Sequence, residues 1–219
     1  MERELYDLRI TVYERIKKDI LNRELQSGIK LTIEDLTKRF NVSPTPIKEA
    51  LIALEKEGLV ENIPRRGAFV STLTLEDVEE IYGLKEVLEG LCGRKALEKI
   101  NDTDINSLNS IISDAERFAK SNDILGYEET DRRFHQILRK ITEDKRLSYF
   151  LSILDAQLKL ALPVINSLSG RVESSLQEHK KILSSLEKKN IQNAEFYSKE
   201  HMRLEREAVI RELKFRGFK

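Results

Sequence analysis

Three histidines and one aspartate are the residues of this sequence best suited to binding a metal ion. The chain has only three histidines, His135, His179 and His201, and Asp131 precedes the first of them by four residues. Residues four apart lie on the same face of an α-helix, so the Asp131 carboxylate and the His135 imidazole are predicted to point in the same direction. This pair offers one oxygen and one nitrogen ligand from a single helix.

The other two histidines also lie on the apolar faces of predicted helices. His179 follows Leu176 by three residues, and His201 precedes Leu204 by three residues. Each histidine alone is more often a hydrogen-bonded core residue than a ligand. Together, three inward histidines and one aspartate offer three nitrogens and one oxygen, a ligand set that suits Zn²⁺, Ni²⁺ or Mn²⁺. We therefore expect a divalent metal ion as a cofactor.

Such a site is compatible with three functions that helical periodicity does not separate. The metal ion can activate water, which would make the chain a metal-dependent hydrolase with Glu178 as the first general base to test. It can instead bind a small carboxylate without any chemistry, or it can only stabilise the fold. Glu178 adjoins the inward His179 and is therefore expected to point away from it.

The histidines belong to a long helical region that begins near residue 72. Thr74 is a suitable N-cap for its first helix. The sequence pattern changes there from short extended segments to helical periodicity, which places the domain boundary between Ser71 and Leu75. Six helices with short connections predict an antiparallel bundle for residues 72–219. The predicted helices are Leu75–Ile100, Thr103–Ser121, Asp123–Ile141, Asp144–Leu162, Arg171–Lys189 and Ile191–Phe215.

The region before this boundary, residues 1–71, begins with three predicted helices. The first runs from Leu8 to Leu25 and the second from Ile33 to Phe40. The third has Ser43 as its N-cap, followed by Pro44 and Pro46 in the first turn, where a missing backbone N–H removes no intrahelical hydrogen bond. Because the turn between the second and third helices is short, these two are predicted to form a helix-turn-helix.

Two short extended segments follow the third helix. They are Leu59–Ile63 and Ala68–Ser71, and the turn between them reads Pro64-Arg65-Arg66-Gly67. These segments predict a β-hairpin with a basic tip, and a helix-turn-helix followed by a hairpin is a winged helix. The third helix then presents Thr45 and Lys48 from a rigid amino-terminal end, which suits contacts with DNA phosphates or base edges.

The composition indicates a mostly α-helical protein with local basic segments. Charged residues make up 35% and aromatic residues 6% of the 219 residues, and tryptophan is absent. The net charge of zero argues against a broadly basic nucleic-acid binder, but residues 37–48 and 62–70 carry basic side chains and no acidic ones. The single Cys92 excludes an internal disulfide. Because neither a signal peptide nor a membrane-spanning run is visible, we expect a cytoplasmic protein with no membrane partner.

Both halves of the chain resemble the GntR family of bacterial transcription regulators, in particular its FadR-like subfamily with an FCD ligand-binding domain. In the first half the resemblance rests on SGIKLTIEDLTKRFNVSPTPIKEALIALEKEGLVENIPRRGAFV, including the VS-x-TP-x-x-EAL core. In the second half it rests on DRRFH, on EHKKIL and on the position of His201. The six predicted bundle helices are similar to the shorter, VanR-like type of FCD domain.

The resemblance implies DNA contacts from the start of the third helix and from the wing. The matching positions are Thr45, Lys48, Arg65, Arg66 and Gly67, and glycine at the last of these lets the wing backbone approach the groove. Family members commonly have arginine where this chain has Lys48, which can pair with a phosphate but lacks the bidentate fork of arginine. The operator sequence therefore does not carry over from the family.

The resemblance also implies a metal site, an effector and an oligomeric state. Asp131, His135, His179 and His201 match the metal ligands of the family, and Lys85 stands where an arginine that binds an effector carboxylate is expected. The implied protein is a homodimeric regulator, and not an enzyme, that binds a near-palindromic operator and responds to a small organic acid. A two-fold axis in the protein implies the two-fold symmetry of the DNA.

Overall fold

The computed structural model describes residues 2–161 and 171–218, with side chains from residue 8 onward. These residues form two compact units. The first unit contains the chain through Leu73 and a segment that begins at Asp155, and the second contains Thr74–Leu154 and the helices after residue 170. The predicted end of one bundle helix at Leu162 lies outside the described residues.

The first unit is a helix-turn-helix followed by a β-hairpin. Apolar side chains from its helices and strands form one core, which includes Ile16, Leu36, Ile47, Leu54 and Val70. Its helices are α1 (Glu2–Leu21), α2 (Ile33–Phe40) and α3 (Pro44–Lys56), and its strands are β1 (Lys30–Leu31), β2 (Val60–Ile63) and β3 (Gly67–Val70).

Local sequence signals explain how the helix-turn-helix forms. The Thr32 hydroxyl accepts a hydrogen bond from the Asp35 backbone N–H at 3.1 Å and thereby caps α2. Asn41 ends α2 in the left-handed conformation, with φ 53°. Ser43 occupies the N-cap position of α3 without a side-chain cap hydrogen bond, and Pro44 is the first helical residue. The position of the prolines therefore predicts the start of α3 correctly.

The wing is a three-stranded antiparallel sheet with the strand order β1-β3-β2. Lys30 of β1 pairs with Phe69 of β3, and Ile63 of β2 pairs with Gly67 across the turn. The sequence predicts the two hairpin strands but not β1, because two residues are too few to show the alternation of a strand.

The second unit is a helical bundle. Its helix α4 packs most extensively against α9, while α5 packs against α6 and α8. The predicted fold class, a mostly α chain with a winged helix before a helical bundle, is confirmed. None of the described helices is long and apolar enough to cross a membrane. The six helices described after the wing are α4 (Leu75–Ala96), α5 (Asp102–Lys120), α6 (Ile124–Thr142), α7 (Lys145–Leu158), α8 (Val172–Glu187) and α9 (Ile191–Phe215).

The end of α7 belongs to the first unit. Ala156 is part of the core of that unit, and Gln157 Nε2 donates a hydrogen bond to the backbone carbonyl of Glu57 at 2.9 Å. This contact satisfies a carbonyl oxygen at the carboxyl end of α3, where intrahelical partners are missing. Helical periodicity assigns residues 72–219 to one domain and gives no sign that the chain returns to the first unit.

Candidate metal centre and DNA-binding surface

Four side chains from three helices of the second unit converge on one point. Helix α6 contributes Asp131 and His135, α8 contributes His179, and α9 contributes His201. The four ligand atoms that these residues offer all lie within 4.8 Å of one another. The structure therefore brings together the four residues that sequence spacing singles out.

The distances between these ligand atoms fit a shared cation. His135 Nε2 lies 3.2 Å from His201 Nε2 and 3.3 Å from His179 Nε2. His179 Nε2 also lies 3.5 Å from Asp131 Oδ1. Tetrahedral ligands around zinc, with bonds of about 2.0–2.1 Å, are separated from each other by about 3.3 Å. A single proton can bridge two imidazole nitrogens but not three, whereas one cation can accept a lone pair from each.

Burial favours the neutral form of His179, which is the form that binds metal, whereas at His135 burial is outweighed by the Glu89 carboxylate, which holds the pKa above its usual value. The exposed fractions of His135, His179 and His201 are 9%, 2% and 2%. The pKa of His179 lies well below its usual value, first because burial disfavours the charged form and then because His201 and His135 lie nearby. Asp131 is the more accessible ligand, with 37% of its side chain exposed. The nitrogen donors therefore lie inside the bundle, and the carboxylate lies closer to solvent.

A buried carboxylate orients His201 from the side opposite the candidate metal. Glu178 Oε2 lies 2.7 Å from His201 Nδ1, and Arg171 Nη2 donates to the same oxygen at 2.6 Å. Burial alone would raise the pKa of Glu178, but its hydrogen bonds with His201 and Arg171 hold that pKa below its usual value. An ionised acceptor at Nδ1 keeps the proton there and leaves Nε2 available to a cation.

The predicted orientation of Glu178 is wrong. From the sequence we expect the Glu178 side chain to point away from the inward His179, yet only 8% of Glu178 is exposed. Because α8 packs against both α5 and α9, neighbouring positions on α8 are both buried. With its carboxylate held by His201 and Arg171, Glu178 is not free to act as the general base of a hydrolase.

A second buried carboxylate, Glu89 of α4, lies behind His135. Its Oε2 is 3.6 Å from His135 Nδ1, and Arg139 forms an ion pair with the same carboxylate at 2.5 Å. Burial alone would raise the pKa of Glu89, but Arg139 and His135 hold it well below the usual range. Sequence reasoning missed Glu89. Its spacing from Lys85 could have indicated it, because residues four apart lie on the same helix face and both are buried in α4.

Lys85, the predicted effector contact, is itself buried in α4, with 7% of its surface exposed. Its positive charge contributes to lowering the pKa of Glu89, which lies one turn further along the helix. A buried ammonium group is stable only beside opposite charge or hydrogen-bond acceptors. Lys85 therefore belongs to the charged interior of the second unit and is not a solvated surface lysine.

The five predicted DNA-binding residues are all exposed and all belong to the first unit. Thr45 and Lys48 lie in the first two turns of α3, while Arg65, Arg66 and Gly67 lie at the turn between β2 and β3. The structure thus separates them into two groups, one at the start of a helix and one at the tip of the wing. This is the arrangement that a winged helix uses to reach DNA.

The backbone of the wing turn depends on residues that adopt positive φ angles. Arg65 has φ 64° and Gly67 has φ +100°, a conformation that favours glycine at the second position. The guanidinium carbon of Arg66 lies 5.3 Å from the centroid of the Phe69 ring. This cation–π contact holds the guanidinium end of the Arg66 side chain near Phe69 of β3, while the residue as a whole stays exposed.

Comparison with protein families decides what kind of protein carries these two regions. The model of the gntR family of bacterial regulatory proteins matches residues 8–70, and the model of the FCD domain matches residues 80–204. The chain is a member of the GntR family. Its winged helix and its helical unit are the GntR and FCD domains, so it is a DNA-binding transcription regulator and not an enzyme.

Relatives in two bacteria agree with this assignment. The HTH-type transcriptional regulator YdhC of Bacillus subtilis strain 168 is 28% identical over 81% of this chain and 80% of its own length. The HTH-type transcriptional repressor RspR of Escherichia coli K12 is 24% identical over 90% of this chain and 87% of its own length. The GntR-family chain therefore resembles these regulators over both of its domains.

Solved structures share the fold of this GntR-family chain. McbR/YncC of E. coli has a TM-score of 0.75 at 17% identity and covers 93% of this chain, with 97% of its own chain covered. A GntR transcriptional regulator from Rhodococcus sp. RHA1 has a TM-score of 0.71 at 20% identity, with 92% and 96% covered. The FCD domain of TM0439, solved in a metal-free form, has a TM-score of 0.55 at 18% identity and covers 66% of this chain. At these identities the likeness establishes the fold alone.

Proposed function

We propose that this GntR-family regulator binds a near-palindromic operator as a homodimer and that a small carboxylic acid modulates this binding. The acid is bound at a divalent metal ion of the Zn, Ni or Mn class. The ion is held by Asp131, His135, His179 and His201. The protein acts in the cytoplasm, where its operator lies.

One observation carries the metal assignment. Three buried imidazole nitrogens face one another at 3.2 and 3.3 Å, and two of the imidazoles have buried carboxylates at their other nitrogen. Glu178, which accepts from Nδ1 of His201, provides the usual support of such sites, because it fixes the tautomer and the ring orientation. Glu89, at 3.6 Å from His135 Nδ1, places a negative charge beside the second imidazole. A core histidine needs no such convergence of nitrogens.

A carboxylic acid is the effector class that the charges of the site favour. Three nitrogens and one oxygen leave open positions on a five- or six-coordinate ion, and carboxylate oxygens are suitable ligands for them. Lys85 adds a buried positive charge to the same unit, and we assign it to the effector carboxylate. The metal supplies a Lewis-acidic centre for binding, and the residues around it position the acid.

The DNA-binding surface follows from exposure and charge. Lys48 pairs with a phosphate, Arg65 and Arg66 extend from the wing, and Thr45 contacts the DNA from the first turn of α3. Gly67 carries no side chain and so permits a close approach of the wing backbone. A homodimer presents two such surfaces to two half-sites.

Control of the operator requires an energetic link between the two ligands. The acid must bind the free protein and the DNA-bound protein with different affinities, typically by about 1–3 kcal/mol in allosteric systems. By reciprocity, the operator then changes the affinity for the acid by the same factor.

Elemental analysis combined with melting curves tests this proposal. We expect about one metal ion per chain in the wild-type protein, with loss of the metal in His135→Ala and His179→Ala and stabilisation by malate, succinate or citrate only when metal is present. Leu138→Ala is the matched control, because it removes a buried side chain from α6 without removing a ligand. Absence of metal from every form under metal-replete conditions would contradict the proposal.

A further inference from the structure

Helix α4 carries an apolar stripe that the described residues of the chain leave partly uncovered. Leu84 and Val87 are 58% and 61% exposed although one side of the same helix is packed against α9. Leu91, one turn further on, is partly exposed. Isolated apolar residues at a surface are ordinary, but a continuous stripe on one helix face indicates a contact surface.

The spacing of the stripe is that of a helix packed along another helix. Counting from Glu80, the next positions on this face are Leu84, Val87, Leu91 and Arg94, so the intervals alternate between four and three residues. This alternation is the a/d pattern of helices that pack side by side at a shallow angle. A Cβ atom placed on Gly83, beside the stripe, would have no heavy atom within 4 Å, which leaves room for a side chain from a partner.

The charges at the two ends of the stripe are opposite. Glu80 lies at the amino-terminal end, and exposed Arg94 lies fourteen residues later, about 21 Å along the helix. A parallel pairing of two α4 helices would place glutamate beside glutamate and arginine beside arginine. An antiparallel pairing would place each Glu80 near the Arg94 of the other copy. The charge pattern is therefore complementary to itself only in the antiparallel arrangement.

We propose that this stripe is the self-association surface of the protein and that its occupant is α4 of a second copy, antiparallel about a two-fold axis near Val87. Leu84, Val87 and Leu91 form the apolar centre of the contact, and the two Glu80–Arg94 pairs form its polar ends, as in the core and rim of protein interfaces. This inference deepens the proposed function, because it rests on the homodimer and names the surface that forms it.

Sedimentation equilibrium of the full chain tests the apolar centre. The double variant Leu84→Glu, Val87→Glu places four carboxylates in the contact, and we expect its dimer dissociation constant to rise on the order of 100-fold or more. Leu125→Glu is the matched control, because Leu125 is 76% exposed on α6 and lies outside the stripe. We expect this control to dimerise like the wild type.

A charge-swap series tests the orientation and does not depend on the apolar substitutions. In the antiparallel dimer, Glu80→Arg and Arg94→Glu each create two like-charge pairs, so each is expected to raise the dissociation constant by about 10-fold. The double swap restores two opposite-charge pairs and should return the constant to within about 3-fold of the wild type. Arg94 also lies 3.6 Å from Glu195 of its own chain, an exposed pair whose loss has little effect on stability.

The outcomes separate this inference from the proposed function. A dimeric wild type that becomes monomeric in the stripe variants, with rescue by the double swap, supports the antiparallel α4 contact. If the wild type and the stripe variants are all dimeric, the α4 stripe is not the dimer contact. The homodimer of the proposed function is then unaffected. A wild type that is monomeric at all concentrations overturns both. Dimerisation unaffected by either single charge change overturns the antiparallel orientation.

Discussion

The two units of this regulator hold their functional polar residues in opposite environments. In the winged helix the candidate residues Thr45, Lys48, Arg65 and Arg66 are all exposed. In the helical unit the three histidines are almost fully buried, as are Lys85, Glu89 and Glu178. Exposed charges need no partner within the fold, whereas buried ones must be paired or must bind a ligand. DNA would therefore approach the first unit from outside, whereas the proposed metal ion would be enclosed by the second unit.

This contrast predicts different consequences of mutation in the two units. Removing an exposed contact residue should weaken binding and leave the melting temperature unchanged. Removing a buried residue of the histidine cluster should alter ligand binding and stability together, because it leaves charged or polar neighbours without partners.

The largest effect is expected from removal of a histidine ligand. In His179→Ala the metal affinity should fall by more than about 100-fold, because loss of a ligand exceeds the 10–100-fold cost of losing a supporting residue. Competition titration against a zinc chelator measures this affinity. The melting temperature should no longer respond to added metal. Leu138→Ala should melt earlier than the wild type but keep its metal affinity, and loss of metal from this control would show that the measurement reports unfolding.

The next effect concerns the carboxylate behind His201. Glu178→Gln keeps the size of the side chain but removes the charge that holds the Nδ1 proton, so metal affinity should fall by about 10–100-fold. Glu173→Gln is the control, because Glu173 is exposed on the same helix. Competition titration against a zinc chelator measures the metal affinity of both variants. Equal affinities in the two variants would mean that Glu178 serves only its ion pair with Arg171.

A smaller effect is expected at the exposed DNA-binding surface. Lys48→Ala and Arg66→Ala should each weaken operator binding and reduce the slope of log K against log salt by about 1, because each removes one phosphate contact. Their melting temperatures should match that of the wild type. Lys56→Ala, exposed in the last turn of α3, should leave the salt slope unchanged. If only Lys56→Ala reduced the salt slope, the DNA would contact the carboxyl end of α3 and not its amino end.

The smallest effect is expected from a polar network inside the first unit. Tyr13 donates a hydrogen bond to Glu57 at 2.5 Å, and Lys17 donates to the Tyr13 hydroxyl at 2.8 Å. Burial, and then the hydrogen bond to Glu57, raise the pKa of Tyr13 to about 12 from its usual 10.0. Because the pKa of Tyr13 is higher in the folded protein than in the unfolded chain, its contribution to the free energy of unfolding is complete below pH 10. This contribution is lost as the pH rises from 10 to 12.

Tyr13→Phe isolates this contribution. We expect the wild type to lose stability more steeply than the variant between pH 10 and 12, as measured by urea unfolding at a series of pH values. Below pH 10 the two proteins should differ by a constant amount of about 1 kcal/mol, the usual net value of one hydrogen bond. Parallel curves across the whole range would mean that Tyr13 titrates in the folded protein as it does in the unfolded chain.

The sequence predicts those features that depend on neighbouring residues. The bounds of α2 follow from its cap at Thr32 and from Asn41, and the start of α3 follows from its prolines. The cluster of Asp131 and the three histidines follows from helical spacing, because each residue can be placed on the inward face of its own helix. Helix ends are less accurate. The first helix ends at Leu21 and not at Leu25, since Arg23 adopts φ 64°.

Features that depend on contacts between distant segments were not predictable. Glu178 is 23 residues from His201, and Gln157 is 100 residues from the carbonyl of Glu57 that it contacts. Such pairs depend on how helices pack, which single-helix periodicity does not specify. The two-residue strand β1 depends in the same way on β3, its partner in the sheet.

In the proposed regulator, a carboxylic acid bound in the second unit changes the DNA affinity of the first. The most direct test is operator binding by fluorescence anisotropy, for metal-loaded protein with and without an acid from the malate, succinate and citrate series that raises its melting temperature. We expect the operator affinity to change by about 5–150-fold in the wild type and to stay constant in His179→Ala. An acid that stabilises the metal-loaded protein but leaves its operator affinity unchanged would rule out this regulation.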